Sequence, residues 1–212
     1  MLSQVKLESA QAAPPELRVK IAKLLRRASY FDCRLLTRAL LVLCPNGFTL
    51  ANELQADPFA LVTVATIFDA LGEYDAAEFA LQGIDLEKDL AARHVLANIK
   101  FHRGQPDLAM HIMEAPGTHE IDPRLAEDAY QEFSYIRFMA HAGQQQQAIE
   151  RLINRWGALR RKFRSVSGAG IFLYKLLMNQ GWENEAIALL NWLTQSSFDY
   201  REATRLLQNQ AA

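Results

Sequence analysis

Gly72-Glu-Tyr-Asp-Ala-Ala77-Glu-Phe-Ala-Leu81 sets a pattern that the chain repeats: a glycine, four residues, an alanine, three residues, then Leu or Met. The pattern returns as Gly104…Ala109…Met113, Gly143…Ala148…Leu152 and Gly181…Ala186…Leu190. Successive glycines are 32, 39 and 38 residues apart, inside the range of about 20 to 50 residues in which a period signals stacked supersecondary units. Glycine can end a helix in the left-handed conformation at no steric cost. Two or three polar residues then turn the chain, as in Glu73-Tyr74-Asp75 and Gln105-Pro106-Asp107. The alanine suits a close crossing of two helices, and Leu or Met one turn later fills the core on the same face. An apolar helix precedes each glycine, for example Leu61-Val62, Val64-Ala65 and Phe68 before Gly72. Each unit therefore reads as a helical hairpin, and one hairpin alone cannot bury its apolar stripe.

The turn Gly72-Glu73-Tyr74-Asp75-Ala76-Ala77, together with Ala65 and Ala97 at a small position of the preceding helix, resembles the tetratricopeptide-repeat superfamily. The chain departs from that family in lacking an aromatic residue at the start of each first helix, and mostly in lacking the closing proline. A degenerate upstream copy, Ala28-Ser-Tyr30-Phe-Asp32-Cys33…Thr37…Leu40…Pro45, keeps the register without the glycine and alanine. The resemblance implies an all-α, right-handed superhelix of helical hairpins, a TPR-like α-solenoid with a C-terminal capping helix. The expected organisation is a flexible N-terminus at 1–13 and repeats over 14–198, followed by a capping helix and tail at 199–212. The degenerate first repeat spans 14–45, and clearer ones lie at about 58–84, 90–115, 123–156 and 168–195.

Half of the 212 residues are hydrophobic, enough for a continuous core, and no apolar run approaches the roughly 18 residues of a membrane span. Met1 to Ala10 holds no apolar signal-peptide core, so a soluble cytoplasmic protein is expected. Cys33 and Cys44 stand on one helix about 16 Å apart, beyond the roughly 7 Å a disulfide allows, and both read as buried free thiols. Net charge is −1 but unevenly placed: +5 over residues 1–49, −11 over 50–133 and +5 over 134–212. An acidic middle between basic ends could steer a partner, pair with a second copy head to tail, or form a solvated surface.

Along the chain, Pro14-Pro15 is expected to start a helix whose stripe is Leu17, Ile21, Leu24 and Leu25, with Arg18, Lys20, Lys23, Arg26 and Arg27 around it. Asp32 can cap the next helix, to about Cys44, and Thr49 to Gln55 can add a short one before Asp57-Pro58. The segment 115–123 is the longest link and a natural hinge, with Pro123 starting the following helix and Asp199 capping the last.

None of the five histidines forms a metal-binding pair at i, i+4, and no Cys-x-x-Cys occurs. Ser167-Gly168-Ala169-Gly170 lacks the Lys-Ser/Thr ending of a phosphate loop and reads as an irregular loop that leads into a helix. No catalytic residues, metal or cofactor, and hence no enzyme, are expected. Seven Lys/Arg and no acid fall between Arg151 and Lys175. Arg155, Arg160, Arg161, Lys162 and Arg164 form a basic patch that could meet nucleic-acid phosphates, although the acidic middle opposes that partner.

The family register also implies a groove lined by first-helix residues. Ten positions before the turn glycine lie Val62, His94, Phe133 and Ile171; six before lie Thr66, Asn98, Arg137 and Lys175; three before lie Asp69, Phe101, Ala140 and Met178. Such a mixed apolar and polar trough suits a segment of another protein, unless these residues merely pack between repeats. His94 stands where a carboxylate clamp would need lysine. Gly47-Phe-Thr-Leu-Ala-Asn-Glu-Leu, Leu71 to Ala77 and Gly104 to Met110 are also similar to class II chaperones of bacterial type III secretion. That similarity implies a cytosolic chaperone or assembly adaptor, with a homodimer as one possible state. The alternatives are a nucleic-acid-binding regulator using the basic patch and a structural subunit of a larger complex.

Overall fold

The structure, a computed structural model, describes residues 6–29, 32–47, 49–114, 126–159, 168–196 and 200–210. Among these the regular elements are all helical, with one isolated bridge between Asn46 and Thr49. Twelve α-helices follow in order: α1 (Leu7–Gln11), α2 (Pro15–Ser29), α3 (Cys33–Leu43), α4 (Pro58–Leu71), α5 (Tyr74–Leu81), α6 (Leu90–His102), α7 (Pro106–Glu114), α8 (Ala126–His141), α9 (Gln145–Leu159), α10 (Ala169–Asn179), α11 (Glu183–Ser196) and α12 (Tyr200–Gln210). A 3-10 turn at Asn52–Leu54 lies before α4. Among the described residues no helix is long and apolar enough to cross a membrane.

All four repeated turns close in the same way. Gly72, Gly104, Gly143 and Gly181 have φ of 81°, 77°, 85° and 75°, the left-handed region that glycine takes freely. Each glycine N–H donates to the carbonyl three residues back, and the next N–H donates to the carbonyl five residues back. The second set of bonds is Glu73 to Phe68, Gln105 to Lys100, Gln144 to Met139 and Trp182 to Leu177, each 2.9 or 3.0 Å. This is the Schellman closure, which satisfies carbonyls left open at a helix end. Five residues past each glycine, Ala77, Ala109, Ala148 and Ala186 are fully buried, and Leu81, Met113, Leu152 and Leu190 are buried one turn later.

The chain divides into two compact units, one ending at Gln105 and the other beginning at Pro106. The boundary falls inside the 90–115 repeat, so α6 belongs to the first unit and α7 to the second. In the first unit α2 packs on α3, α3 on α4, α4 on α5, and both α4 and α5 on α6. Three of its helices start on an aspartate that accepts a backbone N–H: Asp32 from Arg34, Asp57 from Phe59 and Asp89 from Ala92, at 2.8 to 2.9 Å. In the second unit α7 packs on α8, α8 on α9, α9 on α10, α10 on α11 and α11 on α12. Trp156 and Trp192 meet edge to face at 5.9 Å between α9 and α11. Ala203 of α12 is fully buried, so the last helix covers the last hairpin.

Four expectations change. Residues 7–11 form a short helix, with Ala10 buried, within the stretch expected to fray. On α2 the buried face is Arg18, Val19, Ala22 and Leu25, while Leu17 and Leu24 are exposed. The small Ala22 and the equally buried Ala39 of α3 suit a close crossing, which turns α2 away from its bulkier stripe. Arg18 is drawn inward as well and pairs with Glu53. Cys33 is exposed and only Cys44 is buried, since Cys33 opens α3 on its outer side. Gly170 lies within α10 rather than before it, and Gly168, with φ of 86°, is the N-cap. The expected helix starts at Pro123 and Asp199 lie outside the described residues.

Candidate functional site

In the first unit the expected groove residues sit on α4 and α6, which pack together. Val62 and Thr66 are partly exposed, and the Thr66 hydroxyl donates to the Val62 carbonyl at 2.6 Å. Asp69 lies 2.7 Å from Nδ1 of His102, joining the two helices by their C-terminal turns. His94 is buried, and burial pushes its pKa from the ordinary 6.5 down to about 4. Asn98, one turn on, donates from Nδ2 to the His94 carbonyl at 3.0 Å and stands 3.0 Å from His94 Nε2. His94 is thus held as a neutral, satisfied imidazole. Phe101 remains partly exposed beside the His102 ring, 5.7 Å between centroids.

In the second unit Phe133 and Arg137 lie on α8, and Ile171, Lys175 and Met178 on α10. Phe133 and Ile171 are buried, and Phe133 meets Phe172 edge to face at 5.7 Å. Their apolar surface therefore serves the interior of the unit. Arg137 is partly exposed, and desolvation draws its pKa downward. Met178 is partly exposed and Lys175 is exposed. Of the twelve positions, then, His94, Phe133, Ala140 and Ile171 are core, and the other eight present at least part of a side chain.

A cluster that the sequence reading did not single out centres on Glu132, which is fully buried in α8. Arg151 of α9 meets it with two bonds, Nε to Oε1 at 2.7 Å and Nη2 to Oε2 at 2.9 Å. The Arg155 Nε lies farther off, at 3.7 Å from Oε1. The Arg151 guanidinium also lies 4.6 Å above the Tyr135 ring, and the Tyr135 hydroxyl donates to Glu114 of α7. Burial and the bond to Glu114 push the Tyr135 phenol up to about 12, and the bond to Glu132 raises Arg151 further above its ordinary value. Beside this cluster is an open recess of about 460 Å³ lined by Met139, Gln147, Glu150, Arg151, Asn154 and Arg155. The repeat register contains the signal. Glu132 is eleven residues before Gly143 and Arg151 eight after it, positions held in the first clear repeat by Leu61 and Ala80. An apolar pair there has become an ion pair.

Of the expected basic patch, Arg155 turns toward Glu132, whereas Arg160, Arg161, Lys162 and Arg164 lie outside the described residues. Among the described residues no group of three or more His, Cys, Asp or Glu side chains is placed to hold a metal ion. Compared with protein-family models, with curated proteins and with solved structures, the chain finds no significant match.

Proposed function

We propose that the chain is a tetratricopeptide-like binding scaffold that holds a segment of a partner protein along its first-helix faces, as a chaperone or assembly adaptor. The observation that carries this reading is the fourfold turn: four glycines with one backbone geometry, each followed by a buried alanine and a buried Leu or Met. Repeated hairpins of this kind present equivalent positions at regular intervals, and such a series suits an extended or helical segment that contacts one position after another. In this reading the hairpins wind into a right-handed superhelix. Lys175 and Arg137 supply charge, and Val62, Phe101 and Met178 supply apolar contact. The resemblance to secretion chaperones suggests a cytoplasmic client-holding role, in which burial of an aggregation-prone stretch keeps the client soluble by mass action.

The reading is tested by capture with the tagged full-length chain from its native cells, at low and high salt, with and without nuclease. One protein recovered in constant ratio at high salt, and unaffected by nuclease, is the expected result. Recovery of nucleic acid, or of proteins lost on nuclease treatment, overturns it in favour of the basic segment.

A further inference from the structure

The α2 helix leaves Leu17 47% and Leu24 51% exposed. Seven residues bring the two back to one face, about 10 Å apart along the axis, with the partly buried Ile21 between them. Helical geometry sets Lys20 and Arg27, both exposed, along one side of this row. Beyond them Lys23 holds its Nζ 4.8 Å from the centre of the Phe59 ring of α4, which is itself 68% exposed. Glu16 in the first turn is the one acidic residue of α2. The surface is thus an apolar row and an aromatic ring with a basic strip between them, contributed by two helices of one compact unit.

We propose that this face docks an amphipathic helix of a partner protein whose apolar row is flanked by Asp and Glu. Leu17, Ile21 and Leu24 make an i, i+4, i+7 ridge, the shape that enters the groove of a facing helix. Lys20, Lys23 and Arg27 select acidic flanks and exclude basic ones. The same charges disfavour a second copy as occupant, because two-fold pairing of α2 on α2 would bring like charges together. They disfavour a membrane less, but two half-buried leucines give little apolar surface for attachment, where even a whole acyl chain binds only marginally. The site is separate from the groove positions on α4, α6, α8 and α10 and stands whether or not those bind.

The test uses the full chain and two fluorescent helical probe peptides read by anisotropy: one with a leucine row flanked by glutamates, the other with lysines in place of the glutamates. The glutamate peptide is expected to bind at least about tenfold more tightly than the lysine peptide. Leu17→Ser with Leu24→Ser should weaken it by about tenfold or more with an unchanged circular dichroism spectrum. Lys20→Glu with Arg27→Glu, both at exposed positions, should reverse the preference between the peptides. Absence of binding, equal binding of both peptides, or indifference to both double variants overturns the proposal. So does a wild-type dimer in sedimentation that the leucine variant dissociates, which would make a second copy the occupant. Binding to phosphatidylserine vesicles that the same variants abolish, with no peptide binding, would make it a membrane and likewise overturn it.

Discussion

A methyl group added at Gly170 would lie 2.5 Å from Cδ2 and 3.0 Å from Cδ1 of Leu193, a fully buried side chain of α11. Gly170→Ala should therefore lower stability by about 1–3 kcal/mol through overpacking, and Leu193→Val in the same chain should recover part of the loss. Gly157, inside α9, has open space where its Cβ would stand, so Gly157→Ala should raise stability by about 0.5–1 kcal/mol. Denaturant unfolding measures both. The two cysteines differ just as sharply. Burial pushes the Cys44 thiol up to about 11, so a thiol reagent should label the native chain once, at Cys33, and Cys33→Ser should remove that reaction. His94 should make stability depend on pH. Its folded pKa of about 4 lies below the ordinary 6.5, so the unfolded chain takes up a proton that the folded chain refuses. Stability should fall as pH drops from about 6.5 to 4, by up to about 3 kcal/mol, and His94→Gln should flatten that slope in unfolding titrations. The motif glycines, alanines and leucines were legible because each answers to its own turn. Gly170 and Cys33 were not, since one depends on a side chain from another helix and the other on which way α3 faces.

At the scale of elements, the α8–α9 hairpin rests on a charge pair where its first counterpart has Leu61 and Ala80. Glu132 is fully buried and Arg151 binds both of its oxygens. Arg151→Ala strands a carboxylate away from water and should cost about 3–5 kcal/mol. Arg155→Ala, which removes only a group 3.7 Å away and 41% exposed, should cost less than about 1 kcal/mol. Comparable losses for the two variants would contradict the assignment of Arg151 as the principal partner. Aligning the repeats by their glycines does bring Glu132 and Arg151 opposite each other, so the pair was present in the sequence. Its burial was not, because burial depends on how the helices of the unit pack around α8 and not on the register of one hairpin. The orientation of α2 escaped for a related reason: the count of bulky residues favours Leu17 and Leu24 as core, whereas close approach to α3 favours Ala22. That exposed leucine row is a surface set by the packing of α2 on α3 and not by its own sequence.

At the scale of the whole molecule, the helical architecture of the described residues and its consecutive pairing followed from the repeat, since a hairpin that cannot bury its apolar stripe alone buries it against the next. The division of the chain at Gln105–Pro106 did not, because the 90–115 repeat looks locally like its neighbours and the boundary depends on which helices each half packs against. The groove positions were legible as a register and only partly as a surface: His94, Phe133 and Ile171 went to the interior, while Lys175, Phe101 and Met178 did not. Charge reversal at Lys175 together with Phe101→Ser should therefore weaken capture of a partner by about tenfold or more without unfolding either unit, as checked by circular dichroism. The central claim, that the first-helix faces form the binding surface, is met most directly by hydrogen–deuterium exchange of the full chain with and without its captured partner. The account predicts added protection on α4, α6, α8 and α10. Protection confined to α5, α9 and α11, or to the basic residues 160–164, would contradict it.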